Sequence, residues 1–292
     1  MLAALGLSSQ VAETADVVLV VLGGVCVLGY AVWLVGSGRW RDPLAGVEST
    51  GDGPSLLNIG AVLLMLVGLT LVLASALLPP QGVFPETGPG TVRWYTFNVA
   101  ESLAKLICAG AMIMMLRQTR SFRDAGRAGL GVGRLVAIGI GGALVVATIC
   151  TVQLKMTTIM WQWLHPGQTP PVHPVLIALR DNAWGNWGCV TLLLSATLVA
   201  PLAEELFFRG LVLQATWRYT GHAWGAVLTS GLAFGWIHGQ PQDVLPLCTM
   251  GLILGYVRMR TRSLTACVLI HMLFNARTMV TAILFPELLT AS

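Results

Sequence analysis

An all-α, polytopic transmembrane helical bundle of about eight spans is the fold this sequence predicts. Of its 292 residues, 55% are hydrophobic and only 10% are charged, and the mean hydropathy is +0.75. Soluble domains carry roughly a quarter charged residues. A chain this apolar cannot cover its surface in water, so the lipid bilayer is its expected solvent. The apolar residues also fall into runs close to the about 20 residues that carry a helix across the hydrocarbon core. Those runs are 17–36, 56–78, 95–116, 133–155, 187–203 continuing toward 217, 222–238, 243–258 and 263–285.

The first run has no basic segment ahead of it in residues 1–16 and leads straight into further runs, so it reads as a retained span rather than a cleaved signal peptide. The connections are short and punctuated: Arg39 to Pro54, Pro79 to Gly90, Arg117 to Arg127, and the Pro-rich stretch His165 to Pro174. None is long enough for a soluble second domain. The chain therefore divides into residues 1–185, transmembrane helices of unassigned role, and residues 186–292, where the chemistry concentrates.

Arginine placement supplies an orientation. Arg39 and Arg41 follow the first span, and Arg117, Arg120, Arg123 and Arg127 follow the third. Arg218 follows the fifth, and Arg258, Arg260 and Arg262 the seventh, whereas the alternate loops offer Arg93 and Arg180. Loops rich in Lys and Arg stay cytoplasmic. An even number of spans then leaves both termini outside the cell membrane. The formal net charge of +4 is spread over these loops without a basic tract that would grip phosphates, which speaks against a nucleic-acid partner.

Trp33, Trp40, Trp94, Trp161, Trp163, Trp184, Trp187 and Trp217 stand near predicted span ends, where an amphipathic ring favours the headgroup zone. Gly131, Gly133, Gly139, Gly141 and Gly142 are expected to let helices approach closely. No strand precedes Gly129, Gly131 and Gly133 to make them a nucleotide loop. The six cysteines all lie in apolar segments without metal-ligand spacing, so they read as small hydrophobes and imply no disulfide framework.

Charged and imidazole side chains are costly inside a bilayer, and here most of them cluster between residues 200 and 280. The first segment runs from Pro201 through Glu204 and Glu205 to Arg209. Residues four apart share a helix face, so Glu205 and Arg209 can pair. Glu204, about 100° further around, is left without a local partner and suits a general base. Alternatively, both glutamates solvate a helix end at the water boundary. The second segment runs from Phe234 to His238; a histidine there also reads as a hydrogen-bonded core residue with Phe234 packed beside it. The third, His271 to Asn275, stacks two polar groups on one face, which serves equally to glue helices together. Counted from the cytoplasmic helix ends, Glu204 lies about 20 Å deep, His238 about 24 Å and His271 about 12 Å. All three depths fall within a core about 30 Å thick, so a common site is permitted.

In this order, Glu-Glu-x-x-x-Arg, Phe-x-x-x-His and His-x-x-x-Asn resemble the CPBP family of membrane proteins. That family contains the type II CAAX prenyl endopeptidases and the bacteriocin-processing, abortive-infection-like membrane proteases. The resemblance covers about residues 190–285, so 186–292 is expected to be a CPBP-like protease core. It implies an intramembrane endopeptidase acting on membrane-associated polypeptides, CAAX-like or precursor peptides among them. Glu204 would then be the general base, activating a water together with His238. His271 and Asn275 would stabilise the oxyanion, while Glu205, Arg209 and Phe234 would support the site. Donors preorganised in a dry cavity lower such barriers substantially.

One glutamate and two histidines could also form a catalytic zinc set with an open position for water, although the HExxH arrangement is absent. A metal-free glutamate mechanism is the expectation, with Glu204, His238 and His271 as the ligands if zinc is bound. Glu101 and Lys105, four apart, are expected to neutralise each other. Lys155 is expected to snorkel, and Arg277 to snorkel or pair across helices. His165, His173 and His222 receive no chemistry. Two other classes stay open. A non-catalytic bacteriocin-immunity or scaffold protein could keep the same constellation as a structural network. A proton-coupled transporter could use it as a relay, although the inverted repeat many transporters show is missing. Nothing in the sequence sets the oligomeric state.

Overall fold

The computed structural model describes residues 9–47, 53–77, 88, 91–119, 130–168, 170–181 and 185–285. The turn signals between Pro79 and Gly90 other than Gly88, together with Arg120, Arg123, Arg127, Gly129 and Trp184, lie outside the described residues. Among the described residues the chain is helical with no strand. The helices are α1 Ser9–Gly36, α2 Leu56–Leu77, α3 Val92–Arg117, α4 Val132–Leu164 and a short α5, Pro174–Arg180. They continue with a long interrupted helix α6 over 185–220, then α7 Ala223–Trp236, α8 Pro241–Thr261 and α9 Leu264–Leu284.

Six of these are long and apolar enough to cross a membrane: Thr14–Gly36, Leu56–Leu77, Val92–Arg117, Val132–Leu164, Trp187–Thr220 and Leu264–Leu284. By that measure the expected eight spans become six, because α7 and α8 fall short. α7 has only 14 residues, which at about 1.5 Å per residue does not cover a core about 30 Å thick. α8 has 21 residues but carries Asp243, Pro246, Arg258 and Arg260. The outer surface suits lipid, with Leu57 84% and Leu64 77% exposed. This is a multi-pass membrane protein.

α7 and α8 form the most extensively packed helix pair, and glycine explains their proximity. A Cβ on Gly235 would stand 2.4 Å from Cys248 N, and one on Gly251 only 2.6 Å from Gly231 O. The two backbones touch, as small residues permit in lipid. α4 packs along α1, α8 and α9. Of its glycines, Gly139 and Gly142 do lie under α9, where a Cβ would meet Leu269 Cδ2 at 2.3 Å and Ile270 Cδ1 at 2.5 Å. Among the described residues Gly131, Gly133 and Gly141 do not mediate such an approach, since a Cβ on each would have nothing within 4 Å.

Other expectations resolve as local packing decides. Trp33, Trp40, Trp163 and Trp187 are exposed. Trp217 instead joins the core, because Leu44 and Ala226 close over it at the end of α6. Glu101 and Lys105 pair at 2.9 Å, and Arg277 pairs across helices with Asp16 of α1 at 2.5 Å. Cys108, Cys150 and Cys267 are buried and the cysteines are free thiols. The central apolar cluster draws on α4, α6, α7, α8 and α9, including Val146, Phe208, Phe234, Leu254 and Ile270, and the candidate site stands on it.

Candidate active site

The site begins with a defect in α6. Pro201 has no N–H, so a helix running through it loses a backbone hydrogen bond. The chain responds with a π-helical turn over Ser195–Val199, in which Ala200 N donates to Ser195 O. That takes the donor Ala196 O would use in an α-helix, and its π-helical donor would be Pro201, which has none. Asn275 Nδ2 of α9 supplies the missing bond, donating to Ala196 O at 2.8 Å. A second π-helical turn covers Leu206–Val212. The α-helical segment Ala200–Glu205, which holds both glutamates, lies between the two. Such turns occur frequently at functional sites.

Glu205 and Arg209 are fully buried and pair as their spacing foretells, Arg209 Nη1 donating to Glu205 Oε1 at 2.7 Å. Arg209 Nη2 donates to Gly251 O of α8 at 3.0 Å, and its guanidinium carbon stands 4.7 Å from the centre of the Phe234 ring. His271 Nδ1 lies 2.9 Å from the same oxygen, Glu205 Oε1. A carboxylate paired with arginine accepts, so Nδ1 carries the proton and donates. The other edge, Nε2, faces Glu204, whose Oε2 is 3.9 Å away. Glu204 keeps 19% of its side chain exposed while Glu205 keeps none. The two adjacent carboxylates therefore differ in environment, one accessible and one locked.

His238 is oriented by its own helix end. Its Nδ1 lies 2.7 Å from Phe234 O; a carbonyl only accepts, so Nδ1 donates and the neutral ring is left with its lone pair on Nε2. Phe234 is fully buried, and its ring centroid lies 4.9 Å from that of His238 and 5.5 Å from that of His271. One phenyl ring thus supports both imidazoles and the arginine. The structure brings Glu204, Glu205, Arg209, Phe234 and His271 into one cluster, with His238 joined to it through Phe234. Asn275 is partly diverted, since one of its N–H groups is spent on Ala196 O.

Two groups that the sequence left without a role act electrostatically on this cluster. Burial pushes the Asp243 carboxyl up and the charge of His238 opposes it, while desolvation and then His238 push the His173 imidazole down and Glu204 opposes them. No spacing rule pointed to either, because the proximity is made by folding. Among the described residues no three His, Cys, Asp or Glu side chains are grouped so as to hold a metal ion. His271 Nδ1 is committed to Glu205, which leaves Nε2, the edge that faces Glu204, as its free nitrogen.

A bundle of membrane helices enclosing carboxylates and imidazoles, braced by a buried arginine, has the makings of an intramembrane hydrolytic centre. Residues 186–277 match the family described as Type II CAAX prenyl endopeptidase Rce1-like. The last third of the chain is thus similar to this family, in agreement with the resemblance of its motifs to the CPBP group. An "Uncharacterized 24.3 kDa protein" of Escherichia coli is 38% identical over 84 residues, 27% of this chain and 39% of that protein. The chain spans about two fifths of the length of this curated relative. No solved structure matches the chain.

Proposed function

We propose that this protein is an intramembrane endopeptidase that hydrolyses peptide bonds of membrane-associated polypeptides, with a water activated by Glu204 and His238. The observation that carries the reading is the approach of accessible Glu204 Oε2 to His271 Nε2, 3.9 Å apart, over a fully buried Glu205–Arg209 pair. Glu204 takes a proton from the water, which the Nε2 lone pair of His238 helps to orient by accepting its other hydrogen, as the water oxygen bonds the scissile carbonyl carbon. The carbonyl electrons move onto oxygen, where His271 Nε2, when protonated, and the remaining N–H of Asn275 donate. The tetrahedral carbon then expels the amine, which receives its proton from Glu204. Each proton and electron pair is accounted for within the cluster.

In this reading no metal takes part. The substrate is a polypeptide at or in the cell membrane, such as a CAAX-like or precursor peptide. Residues 186–292 form the protease core, and both termini face outside. Purified protein in lipid nanodiscs, offered a broad peptide library, is expected to cleave. Glu204→Gln, His238→Ala and His271→Ala are each expected to lose about 10²–10⁴-fold in kcat. Equal cleavage by all four proteins, or none by the wild type, would overturn the proposal. Uptake driven by a pH gradient would favour the transporter class instead. Exhaustive chelation is expected to leave the rate unchanged; a loss restored by zinc would overturn the metal-free mechanism.

A further inference from the structure

The connection into α5 is pinned beside the site. Gln242, four residues beyond His238, donates from Nε2 to Pro171 O. Its own backbone carbonyl accepts from Thr157 Oγ1 of α4 at 3.0 Å. Two residues after Pro171, His173 caps α5, its Nδ1 accepting from Val175 N at 3.3 Å. α5 then buries Ala178 and Leu179 against Leu192 of α6 and Met279 of α9. Residues 170–181 therefore cross from the start of α8, just past His238, to the helices that carry Glu204 and His271.

His173 is open along its surface, while neighbouring protein crowds the rest of its ring. Since Nδ1 accepts from the backbone, the neutral ring holds its proton on Nε2, the edge turned away from the cap. Desolvation, and then the nearby His238, lower its pKa from the ordinary imidazole value, with Lys105 adding a little and Glu204 opposing. The ring is neutral near pH 7 as a result, and a neutral donor suits a neutral acceptor. We propose that His173 is a substrate-positioning residue beside the site, donating from Nε2 to a backbone carbonyl of the polypeptide substrate. This rests on the peptidase reading above.

The bland role of His173 is that of a helix cap, and two variants separate the roles. H173N keeps a side-chain oxygen for Val175 N but loses the far edge of the ring; H173A loses both. Kinetics are measured in nanodiscs on a peptide the wild type cleaves, alongside thermal unfolding. Both variants are expected to raise KM about three- to tenfold, the worth of one hydrogen bond, with kcat nearly unchanged, the mark of lost binding shared by ground and transition states. H173N is expected to melt with the wild type. An H173N protein with wild-type KM would reduce the residue to its cap and overturn the inference, as would a fall in kcat at unchanged KM. If the wild type cleaves nothing, the peptidase reading fails first and this inference falls with it; if the wild type cleaves and H173N equals it, this inference alone fails.

Discussion

Glu205 accepts two hydrogen bonds on one oxygen, from Arg209 at 2.7 Å and from His271 at 2.9 Å. Its second oxygen, Oε2, and Arg209 Nε are buried without a hydrogen-bond partner among the described residues. A buried ion pair regains its desolvation penalty only when geometry is excellent and every remaining site is satisfied. Here two sites are not, so the pair is a poor source of stability and a good source of orientation for His271. Removing one partner strands the other as an uncompensated buried charge. Arg209→Met is expected to destabilise the protein by about 3–5 kcal/mol, measured by denaturant unfolding in micelles, and to stop cleavage. Glu204, partly exposed, should behave in the opposite way. Glu204→Gln is expected to stay within about 1 kcal/mol of the wild type while losing activity. A Glu204→Gln protein that unfolds as readily as Arg209→Met would show that both carboxylates are structural.

The helix elements add information that no single side chain holds. α6 is interrupted because Pro201 withholds a donor, and the resulting π-helical turn shifts the helical phase ahead of Glu204. One residue of offset corresponds to about 100° of rotation, enough to turn a carboxylate away from α9. Pro201→Ala restores the N–H and removes a residue that costs a helix interior about 3 kcal/mol. The variant is expected to melt at or above the wild-type temperature and yet lose about 10²-fold in kcat from misplacement. Retained activity with raised stability would mean that the turn does not aim the glutamates. Asn275 belongs to the same device. Asn275→Ala leaves Ala196 O unpaired, at a cost of about 1–3 kcal/mol, so that variant is expected to lose stability as well as rate, whereas an oxyanion donor alone would lose only rate.

Across the whole molecule, the helices before the segment that matches the family are not mere ballast. α4 supplies Val146 and Cys150 to the core that supports Phe234, and its backbone accommodates Leu269 and Ile270 of α9 at Gly139 and Gly142. α1, with only 6% of its span window buried, is held to α9 chiefly by the Asp16–Arg277 pair and to α4 through Thr148 Oγ1 donating to Leu19 O at 3.0 Å. A fragment of residues 186–292 expressed alone would leave the α4-facing side of this core open. It is expected to lack both cleavage and a cooperative unfolding transition, and to regain them when residues 1–185 are co-expressed. Full activity from the fragment alone would show that α4 is dispensable. The arginine pattern is tested separately: a reporter fused after Arg117 is expected to read cytoplasmic, and one fused after His165 the opposite side.

Composition was enough to assign this chain to the bilayer, because apolar excess is a sum over residues and needs no geometry. Spacing was enough to pair Glu205 with Arg209 and Glu101 with Lys105, because four residues along a helix set that distance locally. Folding decided what spacing could not reach. The bond between His271 and Glu205 joins residues 66 apart in the chain, and the one between Asn275 and Ala196 joins residues 79 apart. The support both imidazoles draw from Phe234, the reach of His173 toward the site, and the shortfall of α7 and α8 as spans are of the same kind. Each depends on helix crossing, register and exact length, which arise only when backbones meet at glycines such as Gly235 and Gly251 and a proline in α6 resets its phase.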